Sequence, residues 1–187
     1  MKILKWILGI LAALLLLFFF VGMPYLKDQT KKHSPERTST YNQNGFDLTV
    51  NYSSPFKKGR VIFGELIPYD QVWRTGANEP TVFETKTDIS LMNKVIPAGK
   101  YSMWTIPGKT SWTLILNDEI PDWGVTISSG GRETTRDSEH DVLEVNIPVE
   151  VLDNVEESFT IDFEKTDQLY LRLYWDTMRI KAPINNN

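Results

Sequence analysis

The sequence of 187 residues contains no cysteine. It therefore has no disulfide framework, no thiolate nucleophile and no cysteine metal ligand. A lipid-attached N-terminus made by cleavage before a cysteine is excluded as well. The absence does not indicate the compartment, because a domain with a good hydrophobic core needs no disulfide on either side of a membrane.

Histidine is scarce too. Both histidines, His33 and His140, lie in polar segments, so no histidine-centred catalytic triad is expected. No G-x-S-x-G, P-loop or G-x-G-x-x-G motif occurs. The carboxylates near His140, which are Asp137, Glu139 and Asp141, match neither the EF-hand pattern nor a zinc pattern. We therefore expect no metal site and no cofactor.

Positive charge is not in excess beyond the first residues. Without Lys2 and Lys5 the chain has 18 basic and 24 acidic residues, a net charge of −6. Such a surface repels nucleic acid and, over most of its area, anionic lipids. Nucleic acid is therefore not an expected partner. Only the basic cluster of Lys27, Lys31 and Lys32 favours a local contact with lipid headgroups.

One long apolar run lies near the N-terminus. Trp6–Met23 is 18 residues without a charge, and Pro24–Leu26 extends it to about 30 Å as a helix. A cleavable signal peptide is the alternative, but the run is long for one and lacks a small-residue cleavage site. We predict that residues 1–26 form an uncleaved signal anchor that crosses the lipid bilayer once. The flanking basic residues are nearly balanced, and the short N-terminal tail favours a cell-membrane protein with its C-terminal domain on the extracytoplasmic side.

After residue 26 no segment keeps a helical apolar period over three turns. Period-two alternation, as in "GFDLTVNYS", instead recurs about nine or ten times between Gly, Pro and Asn residues. This pattern predicts an all-β domain over residues 44–184, an antiparallel β-sandwich that is jelly-roll-like or a partly closed barrel. Residues 27–43 have almost no apolar side chains and are interpreted as a polar tether. Residues 185–187 are interpreted as a tail.

The segment Pro68–Thr81, "PYDQVWRTGANEPT", shows neither a helical nor a strand period. Gly76 is expected to supply a positive φ at a bend. One interpretation is a structural corner, in which Trp73 fills the end of the core and Arg74 pairs with Glu79.

The other interpretation of this segment is a ligand site. An aromatic ring, a guanidinium, the Asn78 amide and the Glu79 carboxylate on one connection suit a glycan or a carboxylate-bearing ligand. We expect a mixture of the two, with Arg74 structural and largely buried. Asn78 and Glu79 are expected at the rim of a shallow site.

A further aromatic residue, Trp104, lies in "AGKYSMWTIPG". If Tyr101 and Met103 point inward, alternation places Trp104 on the surface, where it would extend a binding platform. If they point outward, Trp104 is a core aromatic residue. Both alternatives stay open, and no catalytic residue is assigned. The candidate ligand-binding residues are Trp73, Arg74, Asn78, Glu79 and Trp104.

Two long motifs resemble a known family. "KGRVIFGELIPYDQVWRTGANEPT" and "IPAGKYSMWTIPGKTSWTLILN", followed by a Trp-Asp pair in the last strand, are similar to the bacterial domain-of-unknown-function family numbered 2911. The resemblance runs from about Tyr52 to Ile184 and implies the family's fold and export, but no activity. Pro80 and Trp104 depart from the family pattern, which puts a family-wide role for the Trp104 indole in doubt.

Together these features predict a membrane-tethered envelope domain. Its expected role is a ligand-binding or interaction module, with a glycan or another envelope protein as partner. The alternative is a carboxylate-dependent envelope hydrolase that acts on glycans, with Glu79 as the candidate acid. No motif identifies a second catalytic carboxylate, so the binding module is favoured over an enzyme.

Overall fold

The structure is a computed structural model that describes residues 2–126, 129–131 and 133–186. The chain divides into two compact units, Met1–His33 and Ser34–Asn187. Each is described by itself.

The N-terminal unit is helical throughout its described residues. Helix α1 (Lys2–Leu17) passes through one π-helical turn (Phe18–Gly22) into helix α2 (Met23–His33). Leu, which dominates α1, is a strong helix former. The stretch Ile3–His33 is long and apolar enough to cross a membrane, a property that a signal sequence shares.

The structure differs from the predicted tether at residues 27–33, which continue α2. Lys, Gln and Asp in this stretch favour or tolerate a helix, and no Gly or Pro follows Pro24 within it. Asp28 and Lys32 lie one turn apart and form an ion pair of 3.7 Å between Oδ2 and Nζ. A polar composition alone therefore did not indicate the absence of structure here.

The second unit is an antiparallel β-sandwich, which confirms the predicted fold class. A six-stranded sheet has the order β1-β2-β3-β6-β7-β8, and a four-stranded sheet has the order β5-β4-β10-β9. The two sheets do not close into a barrel. In the described part of this unit the only helix is a 3-10 turn at Ser138–His140. The strands are β1 (Glu36–Tyr41), β2 (Leu48–Ser53), β3 (Thr81–Thr85), β4 (Ile89–Leu91), β5 (Lys94–Ile96), β6 (Gly99–Pro107), β7 (Ser111–Asn117), β8 (Asp141–Pro148), β9 (Glu150–Lys165) and β10 (Leu169–Asn186).

The β unit begins earlier and ends later than the predicted boundaries of 44 and 184. Strand β1, "ERTSTY", pairs with β2 along its whole length, from Glu36 opposite Ser53 to Tyr41 opposite Leu48. It is a polar edge strand that is held by backbone hydrogen bonds, so it lacks the apolar alternation on which the boundary was based. At the other end β10 continues to Asn186, which lies opposite Ile89.

An aromatic cluster occupies the core between the two sheets. The Trp73 ring stacks on Trp175, with centroids 6.3 Å apart, and meets Phe159 edge to face at 4.9 Å. Trp112 packs edge to face on Trp73 at 6.4 Å. Each such ring buries about 150–250 Å², and apolar burial stabilises the fold by roughly 25 cal/mol per Å². This cluster therefore anchors Trp73, the first residue of the Trp73–Thr81 segment, in the core.

Candidate ligand site at the Trp73–Thr81 corner

The corner, residues 73–81, begins and ends beside the same strand of the six-stranded sheet, β6. Trp73 exchanges two backbone hydrogen bonds with Thr105 of β6, of 2.7 and 3.0 Å, and Thr81 lies opposite the neighbouring inward residue, Met103. Residues 74–80 leave the sheet between these two points. Gly76 has a φ of 146°, which confirms the predicted positive φ, and a Cβ atom there would lie 2.8 Å from the Ser53 carbonyl oxygen.

Trp73 lies in the core rather than on an exposed platform. Its residue exposure is 9%, and its indole Nε1 donates to the Gly76 carbonyl at 3.1 Å. That hydrogen bond closes the corner on itself. Of the two interpretations of this segment, the structural one therefore applies to Trp73.

Trp104 follows neither of the two alternatives offered by strand alternation. Tyr101 and Met103 point into the core, yet Trp104, on the opposite face of the sheet, is fully buried. The start of the polar segment that follows β7 lies over that outer face, because Ser102 Oγ donates to the Glu119 carbonyl at 2.6 Å and also accepts from Trp104 Nε1 at 2.8 Å. A second apolar layer under this segment could not be inferred from period-two alternation.

Asn78 is more deeply buried than the sequence suggested. It is 8% exposed, and its Nδ2 donates long hydrogen bonds to the Ser34 carbonyl at 3.5 Å and to Ser53 Oγ at 3.4 Å. Its φ of 59° is a conformation that Asn tolerates better than most residues. Asn78 therefore fastens the corner to the start of the β unit and does not lie at an open rim.

Arg74 does not pair with Glu79, contrary to the structural interpretation. Within the part of the chain that the structure describes, Arg74 forms no hydrogen bond and no ion pair, and its Nε is buried without a partner. Burial lowers the pKa of the Arg74 guanidinium from its usual value. The residue as a whole is half-buried, so the rest of the guanidinium remains accessible from solvent.

The Arg74 side chain packs under Gly124, which belongs to the same segment between β7 and β8. A Cβ atom on Gly124 would lie 2.6 Å from the Arg74 Cδ and 3.0 Å from its Cβ. The antiparallel pairing of Trp73 with Thr105 places the following residue, Arg74, next to Trp104 on the outer face. Arg74 is therefore a cation that is held in place by packing rather than by a counter-ion.

Glu79 lines a groove on the same outer face. The groove has a volume of about 320 Å³, which is at the small end of the range for ligand sites. Glu79 itself is half-buried, and its Oε2 atom is buried. The other lining residues are Glu36, Arg37, Thr38, Asn51, Tyr52, Ser53, Pro80 and Val82.

One group of side chains in the described residues has the composition of a cation site. Glu119, Asp137 and His140 each offer a ligand atom, and these atoms lie within 4.8 Å of one another. All three residues are exposed, and His140 Nδ1 is hydrogen-bonded to Asp118 Oδ1 at 2.8 Å, which raises the His140 pKa. Glu119 could not be grouped with the other two residues from the sequence, because it follows β7 while they lie just before β8.

The fold and the corner define the class of protein. It is a β-sandwich with an unpaired arginine on the outer face of one sheet. In the sequence the sandwich follows a helix that is long and apolar enough to span a membrane. The family described as "Protein of unknown function (DUF2911)" matches residues 34–184, and the chain belongs to it, as the two motifs predicted. The match begins at Ser34 and so includes β1. No curated protein and no solved structure matches the chain.

Proposed function

We propose that this protein is a membrane-tethered binding module that captures a ligand with an anionic group through Arg74. The observation that carries the proposal is the guanidinium with a buried Nε that has no partner among the described residues. An arginine remains charged at physiological pH, and a partly buried charge without a counter-ion is unfavourable. A carboxylate or phosphate of a ligand would serve as the counter-ion and accept two parallel hydrogen bonds from the accessible part of the guanidinium.

The location of Arg74 supports binding rather than a purely structural role. Gly124 and the sheet fix the aliphatic part of the side chain, so little conformational entropy is lost when an anion binds. The accessible part of the guanidinium faces solvent on the outer face of the six-stranded sheet. A site that is already organised in this way gains affinity without any movement of the core.

The proposal places the β unit on the extracytoplasmic side of a cell membrane, with the N-terminal helix as its anchor. The helical stretch Ile3–His33, which is long and apolar enough to cross a membrane, supports the anchor.

The experiment measures thermal unfolding of the detergent-solubilised full-length chain with increasing galacturonate, and with galactose as the uncharged match. A ligand that binds only the folded state raises the melting temperature with its concentration. We expect galacturonate to stabilise the parent chain and galactose to have no effect. In Arg74→Gln the galacturonate effect is expected to vanish. Arg179→Gln is the matched control, since Arg179 is already paired with Glu150 at 2.7 Å on the other sheet.

The proposal is wrong if galacturonate, phosphate and sulfate all leave the melting temperature unchanged. It is also wrong if Arg74→Gln responds like the parent chain.

A carboxylate-dependent hydrolase that acts on glycans is the second candidate. The observation that favours it is that Glu36 and Glu79 line the same groove, as a pair of catalytic carboxylates would. Its test is the release of reducing sugar from oligosaccharides by the parent chain and by Glu79→Gln. Release that is lost in the variant would favour the enzyme over the binding module.

A further inference from the structure

The position of Gly124 over Arg74 is fixed by the returning limb of the segment between β7 and β8. Thr135 Oγ1 donates a hydrogen bond of 2.6 Å to the Trp123 carbonyl, and the Thr135 amide donates one of 3.4 Å to the Gly124 carbonyl. These two carbonyls belong to the peptide groups on either side of the Gly124 Cα atom. A shift of Thr135 would therefore move the backbone that packs on the Arg74 side chain.

Thr135 is held in turn by the two residues that follow it. Arg136 donates from Nε to Asp141 Oδ1 at 3.0 Å and from Nη2 to Asp141 Oδ2, and both side chains are only 12% exposed. The carbonyl of Asp137 accepts a hydrogen bond of 2.6 Å from Asn117 Nδ2. A bidentate pair of this kind has a specific geometry. The limb that carries Thr135 is therefore fixed against Asn117, the last residue of β7, and Asp141, the first residue of β8.

Asn117 joins both ends of the segment through one amide group. Besides the Asp137 carbonyl, its Nδ2 contacts Asp141 Oδ1 at 2.9 Å, and its Oδ1 accepts from the Glu119 amide at 2.9 Å. The residue is 1% exposed. A buried amide with three hydrogen bonds is a rigid connection, because breaking any of them leaves a polar group without a partner.

The position of Arg74 depends on these connections more than that of a paired arginine would. No carboxylate among the described residues holds its guanidinium, and Gly124 confines its aliphatic part. An arginine side chain has large rotamer freedom, which is lost when the side chain is fixed on an anion. Packing that restricts this freedom before binding increases the affinity. The hydrogen bonds that hold Gly124 are therefore expected to act on the affinity of the Arg74 site.

We propose that Thr135 and Asn117 are positioning residues of the Arg74 site, which hold Gly124 on the Arg74 side chain and thereby set the affinity for the anionic group. This inference rests on the proposed function and adds the residues that organise its site. Asn117 fixes the limb that carries Thr135. Thr135 fixes Gly124 by hydrogen bonds, and Gly124 confines Arg74 by packing.

The first test is titration calorimetry of the detergent-solubilised full-length chain with galacturonate. Thr135→Val keeps nearly the same shape and removes the hydroxyl. We expect it to bind galacturonate about fivefold more weakly, the ratio that corresponds to one hydrogen bond. Thr135→Ser keeps the hydroxyl and should bind like the parent chain. The matched control is Thr160→Val, which removes a hydrogen bond of 3.1 Å to the Ser158 carbonyl on the four-stranded sheet and should leave the affinity unchanged.

The second measurement follows Arg74 without a ligand. The NMR signal of the Arg74 Nε–H group is identified by its absence in Arg74→Gln. Because this Nε is buried, its proton is shielded from exchange with water. We expect faster exchange in Thr135→Val and an unchanged rate in Thr135→Ser and Thr160→Val. Asn117→Asp, which replaces both amide donors by a carboxylate, should increase the rate as well, and Thr135→Val decides the matter if that variant is not expressed.

The double variant Gly124→Ala/Thr135→Val tests whether the effect passes through Gly124. Substitutions that act through one contact are coupled, so their effects do not add. We expect the double variant to bind galacturonate about as weakly as the weaker of the two single variants. Losses that multiply would show that Thr135 acts independently of Gly124, and would overturn the inference.

The outcomes separate this inference from the proposed function. If galacturonate binds the parent chain and not Arg74→Gln, while Thr135→Val matches the parent chain in affinity and exchange rate, the proposed function stands and the inference is overturned. An equal loss of affinity in Thr160→Val also overturns it, because the effect would then come from general destabilisation. If the parent chain binds no anion but exchange at Arg74 is faster in Thr135→Val, the proposed function fails and the positioning of Arg74 by Thr135 stands.

Discussion

The backbone of Gly124 lies directly on the side chain of Arg74, so that a Cβ atom at Gly124 would come within 2.6 Å of the Arg74 Cδ. Gly124 belongs to the segment between β7 and β8, far from the corner in sequence. The contact shows that this segment helps to set the position of the unpaired cation. It also explains why Arg74 stays in place without a carboxylate partner.

This contact makes Gly124→Ala informative. Gly124 does not have a positive φ, so alanine is compatible with its backbone, and the three atoms nearest to the new methyl group all belong to Arg74. We expect galacturonate to stabilise this variant less than the parent chain, because the guanidinium is displaced. Thermal unfolding with and without galacturonate measures the effect. An unchanged response would show that the position of Arg74 does not depend on Gly124.

Trp73 is expected to be essential for stability. Trp73→Ala removes a ring that contacts Trp175, Phe159 and Trp112, and we expect a loss of about 3–5 kcal/mol in the free energy of unfolding. Denaturant unfolding followed by near-ultraviolet circular dichroism measures this loss. Trp6→Ala is the control, since Trp6 is exposed in α1. A loss below about 1 kcal/mol would contradict the core position of Trp73.

The pair of His140 and Asp118 predicts a pH dependence. The hydrogen bond that His140 Nδ1 donates to the Asp118 carboxylate raises the His140 pKa above its usual value of 6.5. The protonated imidazole thus stabilises the folded chain below that value, and this contribution is lost as the pH rises through the raised pKa. Histidine NMR titration in a His33→Gln background measures the His140 pKa. Asp118→Asn should lower it, and an unchanged pKa would show that the pair does not form.

The Tyr174 hydroxyl is expected to ionise at a higher pH than an ordinary tyrosine. Burial first, and then the charge of Asp162, raise its pKa from 10.0 to about 12. Since the unfolded chain releases this proton at about pH 10, stability should fall as the pH rises from about 10 to about 12. The difference in tyrosinate absorbance between the parent chain and Tyr174→Phe gives the titration curve. Asp162→Asn should shift the curve to lower pH, and a curve centred near 10 in the parent chain would contradict the prediction.

The orientation in the membrane can be tested by thiol labelling, because the chain has no cysteine and the parent chain is therefore not labelled. Gln71 is exposed on the β unit, so Gln71→Cys adds a single accessible thiol. We expect a maleimide that does not cross membranes to label this variant in intact cells. Labelling only after lysis would place the β unit in the cytoplasm and remove the basis for an extracytoplasmic ligand.

Local patterns in the sequence determined the broad outline of this protein. The uncharged run from Trp6 to Met23 predicted a helix of membrane-spanning length, and period-two alternation predicted the sandwich. Both patterns could be recognised because they are formed by residues that are close together in the sequence. The same reasoning predicted the positive φ of Gly76 and, from the long motifs, the family. It missed β1 and the helical residues 27–33, whose polar side chains carry no such period.

The tertiary structure decided the character of the candidate site. Whether Arg74 pairs with Glu79 depends on which segments lie over the sheet, and only the fold shows that Gly124 packs on Arg74. Trp104 is buried for the same reason, because the segment that covers it begins 14 residues later in the chain, at Asp118. Contacts between segments that are distant in sequence leave no periodic trace in either segment, so the chain alone could not reveal them.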